Sequence, residues 1–310
     1  MRRDDEEAIA AMPHLDSPGW VSADDVWFVT GASRGFGRAL AEDLLQRGAR
    51  VVATARHPIV LSDLEELYGD RVLALRLDVT APAEIATAVE RAERHFGRID
   101  VLVNNAGYGY LAAVEEGEEA EVRALFETNF FGLAGVTRAV LPGMRRRRRG
   151  TIVNISSGGG FVGLPGSGYY AATKFAIEGL SEALDRELEP LGLRVLIVEP
   201  GSFRTGWAGR SLRQSPVFIP DYEPTAGHRR RAVVANHGRQ RGDPVLAARA
   251  IIAAVTSEHP PLRLVLGGDA LANIRGKLDR VAADHRGWES CTLGTDIVED
   301  DEAPLRRLGA

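Results

Sequence analysis

The stretch Thr30-Gly31-Ala32-Ser33-Arg34-Gly35-Phe36-Gly37 decides the fold of this 310-residue chain. It follows a short apolar run at 25–30 and precedes the segment 38–47, in which leucines recur at helical spacing. This order predicts a buried strand, then a tight turn, then a helix.

Three glycines shape the turn, in the spacing G-x-x-x-G-x-G. Gly31 permits the turn, Gly35 lets the backbone approach a ligand, and Gly37 lets the helix pack close to the sheet. Free N–H groups and the helix dipole at such a turn favour a pyrophosphate group. Glycines also end strands and helices for purely structural reasons, so the turn alone leaves both interpretations open.

Beyond this turn, apolar runs and helical segments alternate along the chain. The runs lack polar alternation, which is typical of strands that are buried on both faces of a parallel sheet covered by helices. We therefore predict a doubly wound α/β fold of the Rossmann type with helices on both faces. The seven predicted strands are 25–30, 51–55, 72–79, 100–103, 151–155, 195–198 and 262–266.

One large domain explains the length and the 45% hydrophobic composition more economically than two small ones. We predict a flexible leader at 1–22, a single domain at 23–285 and a polar tail at 286–310. The segment 202–243 is rich in Arg, Gly and Pro and is longer than an ordinary connection. It is therefore predicted to be an active-site lid.

The charge and the cysteine content bear on the class of protein. A net charge of −5 and a pI of about 5.9 argue against nucleic acid and membrane surfaces as partners. Cys291 is the only cysteine and the seven histidines do not cluster, so we expect no internal disulfide and no metal site. The leader lacks the apolar core of a signal peptide, which predicts a cytoplasmic protein. We interpret the arginine run 145–149 as solvated charge at a helix end.

Several short motifs follow one another in a specific order. After the glycine turn come Asp78-Val79, Asn104-Asn105-Ala106-Gly107, Asn129, Ser157, Tyr170-x-x-x-Lys174 and Pro200-Gly201. Together they resemble the short-chain dehydrogenase/reductase family over about residues 25–268. The resemblance implies the strand order 3-2-1-4-5-6-7 and an oxidoreductase with a nicotinamide cofactor. It also implies homodimers or homotetramers built partly on the helices that carry Asn129 and Tyr170.

Four polar residues, Asn129, Ser157, Tyr170 and Lys174, form the predicted catalytic group. Lys174 lies four residues after Tyr170, so its ammonium shares a helix face with the phenol and is expected to lower the phenol pKa from about 10 toward about 7. Tyr170 is then the acid that protonates a carbonyl oxygen, and Ser157 polarises the same oxygen. By resemblance, Asn129 holds a water in the proton relay. A local helix distortion is the alternative reason for an asparagine in mid-helix.

The predicted cofactor is NADP(H), with NAD(H) as the second choice. The second strand ends Ala53-Thr54-Ala55-Arg56, without the acidic residue that would bind the ribose hydroxyls of NAD. Arg34 and Arg56 are suited to a 2′-phosphate, although either one alone is also explained as a solvated surface charge. The cofactor-binding residues that these arguments and the resemblance imply are Gly31, Ser33, Arg34, Gly35, Phe36, Gly37, Arg56, Asp78, Val79, Asn105, Ala106, Gly107, Tyr170, Lys174, Pro200, Gly201 and Thr205.

Aromatic and aliphatic residues dominate the segments expected around the substrate. They favour a lipophilic ketone, aldehyde or secondary alcohol over a sugar phosphate. The predicted pocket residues are Tyr108, Tyr110, Phe161, Val162, Phe203 and Trp207. The alternative to an enzyme is a module that senses NADP(H) and controls a partner, but such a module has no need of the phenol, ammonium, hydroxyl and amide together.

Overall fold

The structure is a computed structural model, and it describes residues 22–296. Its centre is a seven-stranded parallel sheet in the order β3-β2-β1-β4-β6-β7-β9. This confirms the predicted doubly wound α/β fold, and the strand order agrees when the sheet strands alone are counted. The sheet strands are β1 (Val26–Val29), β2 (Arg50–Ala55), β3 (Val72–Arg76), β4 (Val101–Asn104), β6 (Gly150–Ile155), β7 (Leu193–Pro200) and β9 (Arg263–Leu266).

Helices cover both faces of the sheet. Helices α1, α2 and α8 contribute to the hydrophobic core on one face, and α3, α5 and α6 to the core on the other. The bounds are α1 (Gly35–Gln46), α2 (Ser62–Tyr68), α3 (Pro82–Phe96), α4 (Glu119–Phe126), α5 (Leu133–Arg147), α6 (Gly168–Leu188), α7 (His228–Ala235), α8 (Pro244–Thr256) and α9 (Gly268–Leu293).

Strand β1 explains why the apolar runs predicted this arrangement. All four of its residues are fully buried. Trp27 and Val29 belong to the core on one face of the sheet, whereas Val26 and Phe28 belong to the core on the other. Successive side chains of a strand point to opposite faces, so a strand between two helical layers has to be apolar throughout.

Two local features were not predicted from the sequence. Short strands β5 (Gly109–Leu111) and β8 (Leu212–Gln214) pair in parallel and join the segment after β4 to the lid. Between α4 and α5 the chain makes a π-helical turn, Glu127–Gly132, that carries Asn129. The helix distortion considered at this asparagine is therefore present, because a π turn inserts an extra residue into the helix.

The lid segment 202–243 follows β7 and precedes α8, and its two ends meet at one place. Phe203 and Gly242 form a parallel bridge. The Arg204 N–H donates to the Gly242 carbonyl at 2.9 Å, and the Gly242 N–H donates to the Ser202 carbonyl at 3.1 Å. The two ends of the lid are thus tied together beside the carboxyl end of β7.

Helix α9 changes the predicted C-terminal boundary. It continues to Leu293, across the position 286 at which we expected a polar tail to begin, and its side chains from 282 onward are exposed. A polar composition therefore marked an exposed stretch of helix here, since helix formers on a solvated surface need not be apolar. The predicted leader, apart from Ser22, and the residues 297–310 of the predicted tail lie outside the described residues.

Candidate active site

A cleft of about 1030 Å³ lies at the carboxyl ends of the sheet strands. Its walls come from the glycine turn after β1, from the segments that follow β2, β4, β6 and β7, and from the lid. Parallel strands end at a common edge of the sheet, which is why residues far apart in sequence meet there. The predicted site residues in its lining are Gly31, Ser33, Arg34, Gly35, Phe36, Arg56, Asp78, Val79, Asn105, Ala106, Gly107, Tyr108, Ser157, Val162, Tyr170, Lys174, Pro200, Gly201, Phe203, Thr205 and Trp207.

The glycine turn is braced from behind by the segment after β4. The hydroxyl of Thr30 accepts hydrogen bonds from the N–H groups of Asn105 and Ala106, at 2.9 and 3.0 Å. The Asn105 amide in turn donates to the carbonyl oxygens of Thr30 and Gly31. Gly31 and Gly35 have φ values of +68° and +58°, a region that favours glycine. The turn is therefore fixed in a shape that leaves its outer backbone open to the cleft.

Gly37 makes close contacts with segments that directly follow sheet strands. A Cβ atom at this position would lie 2.5 Å from the Gly31 carbonyl oxygen and 2.5 Å from the Asn105 amide nitrogen. The missing side chain thus makes room for the turn after β1 and for the segment after β4 that braces it. Gly37 itself is buried and does not line the cleft.

Positive charge surrounds the end of β2. Arg34 and Arg56 are exposed and line the cleft, while Arg76 donates to the Arg56 carbonyl oxygen at 3.0 Å. Burial raises the pKa of Asp78, but hydrogen bonds from Thr80 and the charges of Arg56 and Arg76 outweigh burial and hold that pKa below its usual value. This part of the cleft is suited to an anionic group.

Tyr170 lies in the first turn of α6, and its phenol interacts with both Ser157 and Trp207. Removal from water raises the pKa of Tyr170 to about 12, whereas its side-chain hydrogen bonds with Ser157 and Trp207 act to lower it. The structure thus differs from the predicted lowering of this pKa toward 7, because desolvation of the phenolate outweighs the groups around it. Tyr170 is a protonated acid at neutral pH.

Lys174 lies one helical turn further along α6 and is buried. Its ammonium donates to the Ile155 carbonyl oxygen at 2.8 Å and lies 5.7 Å from the centre of the Tyr170 ring. Burial lowers the pKa of Lys174 to about 8, and the charge of Glu178 opposes that shift. The ammonium is therefore the majority form at neutral pH but titrates near the working range of an enzyme.

Asn129 lies behind the cleft and not in its lining. Its amide oxygen accepts from the Tyr108 N–H at 3.0 Å, and its nitrogen donates to the Tyr108 carbonyl oxygen at 3.0 Å and to the Thr173 hydroxyl at 3.2 Å. In this structure it ties the segment after β4 to α6, which carries Tyr170 and Lys174. The π turn places the Asn129 side chain where it contacts both the segment after β4 and helix α6.

A buried cluster of charges beside Lys174 was missed from the sequence. Glu178 pairs with Arg263 and accepts a hydrogen bond from the Ser156 hydroxyl, and Arg263 also pairs with Glu199. Burial raises the pKa values of Glu178 and Glu199, although Arg263 acts to lower both. The sequence did contain one indication of this cluster, because Glu178 lies four residues after Lys174 and therefore on the same helix face.

Four of the six residues predicted for the substrate pocket line the cleft, namely Tyr108, Val162, Phe203 and Trp207. Tyr110 does not; it is fully buried, and its hydroxyl accepts a hydrogen bond from the Glu118 N–H. Phe161 also lies outside the lining, with the Arg263 guanidinium 5.2 Å from its ring centre. Both departures come from side-chain direction, which a sequence pattern in short segments leaves open.

The lid contributes residues to the cleft that the sequence did not identify. Helix α7 lines the cleft through Arg229, Ala232 and Val233, and Asn236, which follows its last residue, also lines it. These residues recur at the i, i+3, i+4, i+7 spacing of one helix face. The weak periodicity of the lid sequence concealed this face, because the remaining positions of α7 carry further arginines and no apolar stripe.

Between Ser22 and Asp296, no group of three or more His, Cys, Asp or Glu side chains could hold a metal ion. No helix in the same range has the length and apolar character needed to cross a bilayer.

Comparison with known proteins identifies relatives of the whole fold. A chain from Streptomyces avermitilis, solved as a short-chain dehydrogenase, is 46% identical, with a TM-score of 0.82 over 88% of this chain and 100% of that one. A 3-ketodihydrosphingosine reductase from Bacteroides thetaiotaomicron is 40% identical over 240 residues, which are 77% of this chain and 86% of the relative. A short chain dehydrogenase from Burkholderia cenocepacia J2315, solved in complex with NADP, is 30% identical, with a TM-score of 0.67 over 84% of this chain and 96% of that one.

The family assignment follows from these relatives together with a model of the family itself. The model described as short chain dehydrogenase matches residues 25–215, which include the glycine turn, Ser157, Tyr170 and Lys174. The chain therefore belongs to the short-chain dehydrogenase/reductase family of oxidoreductases.

Proposed function

We propose that this protein is an NADP(H)-dependent reductase of lipophilic ketones and aldehydes that can also oxidise the corresponding secondary alcohols. The observation that carries the proposal is the set of groups around one phenol. Ser157 and Trp207 act to lower the pKa of the Tyr170 phenol, the Trp207 ring centre lies 5.3 Å from the Tyr170 ring centre, and the Lys174 ammonium lies 5.7 Å from that same centre. These are the proton-transfer groups that a carbonyl reduction requires.

The chain's own residues handle the oxygen of the carbonyl group. When bound, nicotinamide supplies the hydride that the carbonyl carbon accepts. The Ser157 hydroxyl donates a hydrogen bond to the carbonyl oxygen and stabilises the negative charge that develops there. Tyr170 donates its proton to that oxygen, which in an alkoxide is far more basic than a phenolate. The Lys174 ammonium then stabilises the phenolate until it is reprotonated.

The cleft fits a dinucleotide at the glycine turn. Gly35 has a positive φ, and a Cβ atom there would lie 3.3 Å from the Thr205 side chain, so only glycine keeps this part of the turn accessible. Arg34 and Arg56 line the same part of the cleft, and no acidic residue ends β2. A 2′-phosphate is the group that two such guanidiniums suit, which supports NADP(H) over NAD(H). The Burkholderia relative, solved in complex with NADP, adds support by similarity.

The cofactor preference can be tested by removing one cation at a time. For Arg34→Ala and Arg56→Ala we expect the KM for NADPH to rise about 10-fold each, because one charge-assisted hydrogen bond is lost. The KM for NADH should change little, since NADH lacks the 2′-phosphate. Equal effects on both cofactors would contradict the assignment of these arginines.

The substrate class rests on the side chains near Tyr170. Tyr108, Val162, Leu164 and Trp207 give the cleft an apolar wall there. Such a wall favours a lipophilic body on the substrate. The Bacteroides relative is named a 3-ketodihydrosphingosine reductase, which agrees with reduction of a ketone.

We also propose that the protein forms a homodimer or homotetramer. Phe131, in the π turn beside Asn129, is 53% exposed, and Phe175, on the helix of Tyr170, is 44% exposed. Large exposed aromatic side chains on these two elements favour burial against another copy. Light scattering that detects only a monomer would contradict this assembly.

The reaction is tested by NADPH oxidation with a panel of lipophilic ketones and aldehydes. For Tyr170→Phe we expect a loss of about 10²–10⁴-fold in kcat, because the proton donor is removed. NADPH affinity, measured by fluorescence titration, should stay within about 2-fold, since the variant keeps the ring. If the wild type binds NADPH but reduces no carbonyl compound in the panel, a sensing module becomes the better description, and capture of a partner is the next experiment.

A further inference from the structure

Three consecutive arginines on helix α7 have three different environments. Successive helical residues are rotated by about 100°, so their side chains leave the helix in different directions. Arg230 pairs with the buried Glu116 at 3.1 Å, and Arg231 pairs with Glu223. Two of the three arginines thus have acidic partners, one in the segment before α4 and one within the lid.

Arg229 has no such acidic partner in the part of the chain that the structure describes. Its Nε donates only a long hydrogen bond, 3.4 Å, to the Ser167 hydroxyl. It is half-buried, and burial lowers the pKa of its guanidinium with no neighbouring acid to oppose the shift. A partly desolvated cation is costly unless an anion or several acceptors satisfy it. Both terminal amino groups of Arg229 are available to such a group.

The position of Arg229 connects this charge to the reaction centre. Arg229 and Ser167 both line the cleft. Ser167 precedes Tyr170 by three residues at the start of α6, which is about one helical turn, or roughly 5 Å along the axis. An anion bound by Arg229 would therefore belong to a molecule whose other end reaches Tyr170.

The side chains around Arg229 indicate the chemical character of the rest of the bound molecule. Ala232 and Val233 lie on the same face of α7, and Val162, Leu164 and Trp207 belong to the same cleft. These side chains form an apolar wall of the cleft, and the Arg229 guanidinium is the cation beside it. The other two lid arginines in the lining differ, because Arg213 pairs with Glu121 at 2.7 Å and Arg210 is exposed.

We propose that Arg229 is a substrate-binding residue, and that the preferred substrate is a lipophilic carbonyl compound with an oxyanion group on the same molecule. A carboxylate fits best, because its two oxygens match the two amino groups of a guanidinium. The inference rests on the proposed reductase function. Within lipophilic carbonyl compounds, it narrows the substrate class to those that also carry an acidic group.

The first test compares keto acids of graded length with their methyl esters, using NADPH and the wild-type enzyme. We expect kcat/KM for the preferred acid to exceed that for its ester by about 10-fold or more, the effect of one charge-assisted pair. For Arg229→Gln we expect the ratio of kcat/KM for the acid to kcat/KM for the ester to fall to about 1. Arg231→Gln, next to it on α7, is the matched control and should behave like the wild type.

A binding experiment gives a readout independent of turnover. Decanoate, decyl phosphate and methyl decanoate are titrated into the NADP⁺-loaded enzyme and followed by fluorescence and thermal shift. Decanoate should bind about 10-fold more tightly than its ester, and Arg229→Gln should remove the difference. Tighter binding of decyl phosphate than of decanoate would keep the oxyanion site but assign it to phosphate.

Several results would overturn the inference, and they differ from failure of the reductase function. Equal use and equal binding of acids and esters by the wild type would exclude an anion site. An equal loss for acids and esters in Arg229→Gln would indicate a structural role in the lid, and a fall in NADPH affinity would assign Arg229 to the cofactor. In each of these cases Tyr170-dependent reduction of the esters can still be present, whereas its absence would contradict the reductase function itself.

Discussion

At the scale of single residues, the chemistry depends on how the charge of Lys174 is maintained. Its pKa, lowered by burial to about 8, divides a protonated form at lower pH from a neutral form at higher pH. Tyr170, with a pKa of about 12, stays protonated through this range. We therefore expect kcat/KM for carbonyl reduction to fall as the pH rises through about 8, because the ammonium that stabilises the phenolate is lost.

Glu178 gives this pH dependence a specific test. Its negative charge raises the pKa of Lys174, so Glu178→Gln should move the fall of kcat/KM to lower pH. Glu182→Gln is the control, since Glu182 pairs with the same Arg263 but is half exposed. A full pH profile of each variant checks the expectation. Identical profiles for wild type and Glu178→Gln would show that this carboxylate does not position the charge of Lys174.

The sequence contained the reactive pair but not its surroundings. Lys174 follows Tyr170 by four residues, and this spacing alone puts both side chains on one helix face. Tyr110 and Phe161 were assigned to the pocket by residue type. The ring centre of Tyr110, however, lies 6.4 Å from that of Tyr169, and Phe161 lies against Arg263. Such directions depend on contacts between residues distant in sequence. The raised pKa of Tyr170 has the same origin, because burial is a property of the fold.

At the scale of elements, the glycine turn depends on space as well as on backbone freedom. For Gly37→Ala we expect a loss of about 1–3 kcal/mol in the free energy of unfolding, because the new Cβ atom overlaps the turn and the Asn105 amide. NADPH affinity should fall with it. Urea denaturation and a cofactor titration measure the two effects.

A second helical glycine provides the matched control. Gly276 lies within α9, and a Cβ atom there would meet nothing within 4 Å. Gly276→Ala should stabilise the protein by about 0.5–1 kcal/mol, since alanine loses less backbone entropy in a helix. Similar results for the two variants would mean that the close contact at Gly37 relaxes without cost.

The lid is anchored by one nearly buried ion pair. Arg230→Met would leave the Glu116 carboxylate, which is 3% exposed, without its cation. We expect a loss of about 3–5 kcal/mol in the free energy of unfolding. The double variant Arg230→Met with Glu116→Gln should recover part of it. No recovery in thermal and urea denaturation would assign the loss to the hydrogen bond that Arg230 donates to Ser215 instead of the charge.

The elements themselves were predictable to different degrees. Strand β1 was clear because both of its faces are apolar and buried. The pair β5 and β8 was not, since two three-residue strands carry no periodicity of their own and pair only because the lid folds back. The π turn at Asn129 was anticipated only as a helix distortion, because its position depends on the contacts of Asn129 with Tyr108 and Thr173, which are distant in sequence.

At the scale of the whole molecule, stability comes from the sheet and its two helical layers rather than from the end of α9. Trp27 is fully buried, whereas Trp288 is 68% exposed. We expect Trp27→Ala to cost about 3–5 kcal/mol in the free energy of unfolding and Trp288→Ala no more than about 0.5 kcal/mol. Urea denaturation compares the two. A larger, concentration-dependent loss in Trp288→Ala would indicate that this helix end contacts another copy.

The bridge between Phe203 and Gly242 has a consequence for how this protein can be changed. Because the two ends of the lid meet at one hydrogen-bonded bridge between β7 and α8, exchange of the segment between them for the equivalent segment of a relative should leave the paths of β7 and α8 unchanged. Such a chimera would take the lid's part of the cleft lining, including Trp207, from the donor, while Tyr108, Val162, Tyr170 and Lys174 stay with the recipient. Comparison of its substrate choice with that of both parents would therefore separate the contribution of the lid from that of the rest of the cleft.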